Sequence, residues 1–221
     1  MDVRVAPDAE AAARACAELL ADATGHVVLT GGSTPERAYE LAADARRDWS
    51  DVELWWGDER CVPPDHEWSN YGMAKRALLD RLGAPPGAVH RVHGEQEPER
   101  AAELYDEELR DVSLDLVLLG LGPDGHAASL YPNEPGLDER ERRAIAAEAR
   151  LEPFVPRVTM TIPVLESAPV MVWLVAGEDK ADAVRRAFAE PPSPDTPASL
   201  IRSRGETIVL LDRAAAANLD L

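Results

Sequence analysis

The sequence has few cysteines, few lysines and no long apolar run. Its two cysteines, Cys16 and Cys61, have neither the spacing of a metal site nor the numbers of a disulfide framework. No stretch approaches the length of a membrane span, and residues 1–15 lack the charged start and apolar centre of a signal peptide. We therefore expect a cytoplasmic protein with ordinary cysteines and no membrane partner.

Positive charge is also scarce. The chain carries 41 acidic against 23 basic residues, a formal net charge of −18, and lysine occurs only as Lys75 and Lys180. Such a surface repels nucleic acids and anionic lipids, so neither is expected as a partner. Either a high-GC coding bias or adaptation to high salt accounts for this composition. An anionic ligand must be held by local positive groups that outweigh the overall field.

Short apolar runs alternate with amphipathic segments along the chain. Strands are predicted at 3–5, 26–29, 51–56, 116–119, 157–161, 170–175 and 208–211, and helices at 8–23, 36–43, 70–81, 98–110 and from 181 onward. This alternation predicts an α/β fold with a mostly parallel sheet flanked by helices. We expect a single domain over residues 1–221, with a small lid around residues 132–156.

The central motif is the apolar run Leu116–Leu119 and the turn-forming residues that follow it at 120–125. A strand buried on both faces must end there in a tight loop, and ligands bind at the carboxyl edge of open α/β sheets. The loop presents Asp124 and His126. A histidine is the natural proton acceptor near neutral pH, and a carboxylate can orient it. The alternative is an exposed histidine beside an Asx-turn.

Two further strand ends carry functional signals. The segment 30–35, Thr-Gly-Gly-Ser-Thr-Pro, joins a strand to a helix for which Pro35 is a plausible first residue, and such a turn presents backbone N–H groups to an anion. It lacks the lysine of a P-loop and the third glycine of the dinucleotide fingerprint. The strand at 51–56 is followed by Asp58-Glu59-Arg60, which is either a surface ion-pair cluster or part of a site at the sheet edge.

Five blocks, in order along nearly the whole chain, resemble those of 6-phosphogluconolactonases. They are LTGGSTP, WWGDER with SNYGMAKRALL, LVLLGLGPDGHAASLYP, RVTMTIPVL and VAGEDKADAVRRAF. The resemblance implies a modified Rossmann-like fold, shared with glucosamine-6-phosphate deaminases. It also implies hydrolysis of 6-phospho-D-glucono-1,5-lactone to 6-phosphogluconate in the oxidative pentose phosphate pathway.

The resemblance implies catalytic roles for four residues. His126 would be the general base that activates water, and Asp124 would orient it, although the direct partner of His126 is left open between Asp124 and Asp58. Arg60 is the first candidate donor to the developing oxyanion, with a loop amide such as that of Gly125 as the alternative. No metal and no cofactor are implied.

The resemblance places the substrate phosphate on Gly32, Ser33 and Thr34, with positive charge from Arg157 and Lys180. Arg202 is a lesser candidate for the same task. The chain is expected to act on this small molecule as a monomer or a small homo-oligomer.

Two other functions compete with lactone hydrolysis. A glucosamine-6-phosphate deaminase would have Asn-Glu-Pro directly after the aspartate and histidine, whereas here that triplet occurs displaced, at 133–135, and Glu134 is expected to lie away from the histidine. A non-catalytic sugar-phosphate sensor would carry an output module such as a helix-turn-helix. The 221 residues leave no room for one, and the chain retains both Asp124 and His126.

Overall fold

The computed structural model describes residues 1–220. Its strands are β1 (Asp2–Ala6), β2 (Gly25–Leu29), β3 (Val52–Trp56), β4 (Asp58–Arg60), β5 (Ala88–Val89), β6 (Leu116–Leu119), β7 (Ala144–Ala147), β8 (Arg157–Met160), β9 (Val170–Val175) and β10 (Glu206–Asp212). Its helices are α1 (Ala9–Asp22), α2 (Ser33–Ala45), α3 (Asn70–Ala77), α4 (Pro98–Leu109), α5 (Ile162–Leu165) and α6 (Ala181–Phe188). Short 3-10 turns lie at Leu79–Arg81, Pro135–Asp138, Glu178–Lys180 and Pro197–Leu200.

A seven-stranded sheet in the order β1-β10-β9-β6-β2-β3-β5 forms the centre of the fold, and all its strand pairs are parallel. Parallel neighbours need crossover connections, which helices supply on the two faces of the sheet. The predicted α/β fold with a mostly parallel sheet flanked by helices is confirmed. A smaller antiparallel sheet, in the order β4-β8-β7, lies beside it.

The central strand β6 shows why this fold suits the sequence. All four of its residues are buried, with Val117 and Leu119 in one core cluster and Leu116 and Leu118 in the other. Because successive strand side chains point to opposite faces, a continuous apolar run is needed where both faces are covered. Helices α1, α2 and α3 cover one face, and α4 and α6 cover the other.

The structure shifts several boundaries that the sequence predicted. Helix α2 begins at Ser33, with Gly32 as its N-cap, so Pro35 stands at its third position rather than its first. A short helix, Ile162–Leu165, follows the strand predicted at 157–161. None of the helices within residues 1–220 is both long and apolar enough to cross a bilayer.

Candidate active site

Four neighbouring strands, β9, β6, β2 and β3, deliver their carboxyl ends to one cleft of about 470 Å³. This size suits a small ligand. Eight of the predicted site residues line the cleft, namely Gly32, Ser33, Thr34, Asp58, Arg60, His126, Arg157 and Lys180. Asp124 does not line it but is hydrogen-bonded to His126, which does. The parallel topology thus brings together motifs that are far apart in the sequence.

Asp124 and His126 form a direct pair. Asp124 Oδ1 lies 2.5 Å from His126 Nδ1 and also accepts the backbone N–H of His126 at 3.1 Å. Burial acts to raise the pKa of Asp124, but the hydrogen bond and charge of His126 outweigh it and hold that pKa below its usual value. An ionised Asp124 assigns the imidazole proton to Nδ1, which leaves the lone pair on Nε2. The pairing identifies Asp124 as the hydrogen-bond partner of His126, a point that the sequence left open.

Gly122 is required by the close approach of this pair. A Cβ atom at Gly122 would lie 2.0 Å from His126 Nδ1 and 2.8 Å from Asp124 Oδ1. The loop is closed by the Gly125 amide, which donates to Gly122 O at 2.9 Å, and by the Gly122 amide, which donates to His126 O at 2.9 Å. The Gly125 amide is therefore already used within the turn. It is not a free donor to an oxyanion, contrary to the alternative drawn from the sequence.

The N-terminus of α2 faces the cleft without a side-chain cap. Residues 30–35 all line the cleft, and no side chain among residues 1–220 hydrogen-bonds to the first turn of this helix. By contrast, Asp8 caps α1 and Ser69 caps α3. The N–H groups of the first turn of a helix lack intrahelical partners, and the helix dipole favours an anion there. The start of α2 is therefore suited to bind a phosphate.

Three basic side chains line the cleft. Lys180 follows β9 and lies 3.3 Å from Asp179 Oδ2. Arg60 and Arg157 are cross-strand partners on β4 and β8. Arg157 is buried, which lowers its pKa, and it donates to the carbonyls of Val155 and Pro153. On a chain of net charge −18, these cations provide the local positive field that an anionic ligand needs.

Arg202, the lesser candidate from the sequence, is placed elsewhere. Its guanidinium donates to the carbonyls of Ala187, Ala198 and Ile201 and lies 5.4 Å from the ring centre of Phe188. It does not line the cleft in the part of the chain that the structure describes. Arg202 therefore anchors the loop before β10 and does not bind a ligand in the cleft.

A buried polar network that was not predicted from the sequence surrounds Glu59. Its carboxylate accepts the backbone N–H groups of Arg60, Asn70 and Tyr71 and the hydroxyl of Ser69, at 2.7 to 3.0 Å. Burial raises the pKa of Glu59, and these hydrogen bonds act against that rise. The sequence did indicate that Glu59 differs from its neighbours, because alternation along a strand puts it on the face opposite to Asp58 and Arg60.

Through α3, this network reaches Asp58. The Asn70 side chain donates to Asp58 O at 2.9 Å and to Asp58 Oδ1 at 3.3 Å. The other carboxylate oxygen of Asp58 accepts the Ser129 hydroxyl at 2.6 Å. Asp58 therefore links β4 to the segment after His126, and its carboxylate is held by neutral donors rather than by the imidazole.

Comparisons with known proteins find relatives along most of the chain. A family model described as glucosamine-6-phosphate isomerases/6-phosphogluconolactonase matches residues 4–210. A 6-phosphogluconolactonase of Synechocystis is 38% identical over 206 residues, which cover 88% of this chain and 85% of that protein. One from Streptomyces coelicolor is 38% identical over 235 residues, covering 96% and 90%.

The fold comparison leads to the same family. A solved 6-phosphogluconolactonase from Trypanosoma brucei has a TM-score of 0.88 at 26% identity, covering 99% of this chain and 98% of that one. The family match spans the blocks that supply the cleft, from the start of α2 to the helix after Lys180. The chain belongs to the glucosamine-6-phosphate isomerase/6-phosphogluconolactonase family.

Proposed function

We propose that this chain hydrolyses the ring ester of 6-phospho-D-glucono-1,5-lactone to 6-phosphogluconate. The observation that carries the proposal is the Asp124–His126 pair, at 2.5 Å, whose imidazole lines the same cleft as the uncapped N-terminus of α2. A proton acceptor and an anion site thus lie in one cleft of about 470 Å³. The relatives named 6-phosphogluconolactonase support this lactone hydrolase activity.

In the proposed mechanism, His126 Nε2 takes a proton from water as the water oxygen attacks C1 of the lactone. Asp124 stabilises the resulting imidazolium and keeps the ring oriented. Arg60 donates to the oxyanion that forms on the C1 carbonyl oxygen. When the tetrahedral intermediate collapses, the bond from C1 to the ring oxygen breaks. The imidazolium returns its proton to that oxygen, which becomes the C5 hydroxyl.

At the other end of the substrate, the phosphate is proposed to bind the first turn of α2 through Gly32, Ser33 and Thr34. Lys180 and Arg157 supply positive charge. Backbone N–H groups at a helix start and a nearby ammonium group are a recurring phosphate site. Because α2 and Lys180 follow strands on either side of β6, they flank the loop that carries His126.

The family includes a second activity, glucosamine-6-phosphate deamination, but the position of Glu134 favours the lactonase. Glu134 lies outside the cleft, 2.5 Å from Arg150. It therefore does not provide a second carboxylate beside His126 for moving a proton between sugar carbons. A lactonase needs only one activated water.

We propose that part of the segment 132–156 acts as a lid over the bound lactone. Leu151 and Glu152 line the cleft, and Phe154 nearby is 70% exposed. Within the same segment, Ala144–Ala147 is paired to β8 and is thereby tied to the protein body. We also keep the predictions of a cytoplasmic location and of a monomer or small homo-oligomer.

A coupled assay tests the function directly. 6-Phosphogluconolactone is generated enzymatically, and the appearance of 6-phosphogluconate is compared with the spontaneous rate at several protein concentrations. We expect hydrolysis that increases linearly with protein. Binding of sugar phosphate without turnover would identify a sensor, and release of ammonia from glucosamine 6-phosphate without lactone hydrolysis would identify a deaminase.

The substitution Asp124→Asn is expected to lower kcat by about 10- to 150-fold, since a charge-assisted hydrogen bond contributes about 1.5–3 kcal/mol. Steady-state kinetics of both proteins on freshly generated lactone measure the loss. An Asp124→Asn protein that kept the kcat of the unmodified protein would contradict the proposed pairing.

A further inference from the structure

Arg186, on α6, contacts the catalytic loop from outside the cleft. One of its terminal nitrogens donates to Asp124 O at 3.3 Å and to Thr196 Oγ1 at 3.1 Å, and the other donates to Pro123 O at 3.0 Å. The side chain is partly buried. It forms no ion pair with any carboxylate in residues 1–220. In a chain with 41 acidic residues, this guanidinium donates instead to two backbone carbonyls and a threonine hydroxyl.

The segment 193–199 also contacts the catalytic loop, residues 122–126. The Ala198 amide donates to Gly125 O at 2.9 Å, so the carbonyls of three consecutive residues, 123 to 125, are bound from outside. Gly125 has φ of +94°, and a Cβ there would lie 2.8 Å from Thr196 Cγ2. The loop is therefore packed against Thr196 with no space between them.

We propose that Arg186 is a positioning residue for hydrolysis, which fixes the Pro123–Asp124 backbone so that the Asp124 carboxylate holds His126 in its reactive orientation. Asp124 is bound on both sides: its carbonyl by Arg186, and its side chain by the imidazole. Within residues 1–220, the hydrogen bonds that fix residues 122–126 are those of their own turn and those from Arg186 and Ala198. The inference rests on the proposed function, since it concerns the step that His126 performs.

Proton abstraction is sensitive to the position of the His126 imidazole, so the mechanism requires that the backbone at Pro123–Asp124 be held in place. A misplacement of about 1 Å caused by a remote substitution can cost about 10²-fold in rate. A guanidinium suits the task, since its planar fork presents donors in fixed directions to two acceptors at once. Lys180, Arg60 and Arg157 line the cleft, where a substrate binds. Arg186 instead hydrogen-bonds to the backbone of the catalytic loop and does not contact the substrate.

The next residue along the chain offers a matched control. Arg185 is on the same helix and partly exposed, but its partners are Asp182 and Glu190 on the surface. We therefore compare Arg186→Met with Arg185→Met. For Arg186→Met we expect kcat to fall about 10- to 100-fold with KM changed less than about twofold, because the phosphate site is untouched. Arg185→Met should retain the kcat and KM of the unmodified protein.

Two further variants separate positioning from general damage. Arg186→Lys should recover part of the lost kcat, because an ammonium group can donate to one of the carbonyls. Thr196→Val removes the hydroxyl that accepts from Arg186 and keeps the side-chain shape, so it should lower kcat by a smaller factor. Combined with Arg186→Met it should add little, since the two side chains act together.

A readout independent of turnover is the proton NMR resonance of His126 Nδ1–H, which is assigned by its loss in His126→Ala. Arg186→Met should shift or broaden this resonance, and Arg185→Met should leave it in place. An unchanged resonance with unchanged kcat would overturn the inference, as would a parallel loss of kcat, of affinity for substrate and of thermal stability. Absence of hydrolysis by the unmodified protein would overturn the proposed function instead.

Discussion

Replacing His126 by alanine is expected to lower kcat/KM about 10²- to 10⁴-fold, the range that a general base contributes. The imidazole is the only side chain of the pair that carries a free lone pair toward the cleft, because its Nδ1 is bound to Asp124 at 2.5 Å. Without it, water must attack C1 unassisted. Enzymatic hydrolysis of freshly generated lactone, corrected for spontaneous opening, measures the loss.

His93 supplies a control for this prediction. It is exposed, and its contact is with Glu95 away from the cleft, so His93→Ala should keep full activity. Substrate binding should survive in His126→Ala, since the phosphate site is separate, and a thermal shift with 6-phosphogluconate checks this. A His126→Ala protein that still hydrolyses the lactone at the unmodified rate would leave the function intact and refute the mechanism.

Removal of the Lys180 ammonium is expected to raise KM about 10- to 150-fold with a small effect on kcat. A charge-assisted hydrogen bond contributes about 1.5–3 kcal/mol, and each 1.36 kcal/mol is a tenfold change. Lys180→Ala also leaves the neighbouring Asp179 without its partner at 3.3 Å. That carboxylate would then repel the phosphate and add to the loss. The variant is measured with the phosphorylated lactone over a range of concentrations.

The chain has one other lysine, which serves as the control. Lys75 is exposed on α3 and pairs with Asp80, so Lys75→Ala should show an unchanged KM. A lactone without the phosphate offers a second comparison: Lys180→Ala and the unmodified protein should hydrolyse it at equal, low kcat/KM. If Lys180→Ala lost activity equally on both lactones, the phosphate role of Lys180 would be wrong.

Local sequence was sufficient for the features that a few consecutive residues determine. The apolar run of β6 and the glycines after it predicted a buried strand ending in a tight loop, and the structure has both. Asp124 and His126 lie two residues apart, so their hydrogen bond depends on one turn. The likeness of the sequence blocks to a family, confirmed by a match over residues 4–210, added the chemistry.

Helix boundaries and caps were less well predicted where more than one residue could mark the start of a helix. Pro35 favoured a helix start at its own position, yet α2 begins at Ser33 with Gly32 as its N-cap. Proline is accepted throughout the first turn because its missing N–H would be unpaired there in any case. The shift matters, because it puts Ser33 and Thr34 inside the helix start that faces the cleft.

The sequence by itself determined the fold class, the family and the residues of each loop at the sheet edge, since all of these follow from local patterns. Only the tertiary structure decided which of these residues support one another. Ser129 reaches Asp58 across 71 positions and Arg186 reaches Pro123 across 63. Glu59 is buried only because α3 packs over it. Such contacts depend on how the strands are ordered in the sheet, which no short stretch of residues encodes.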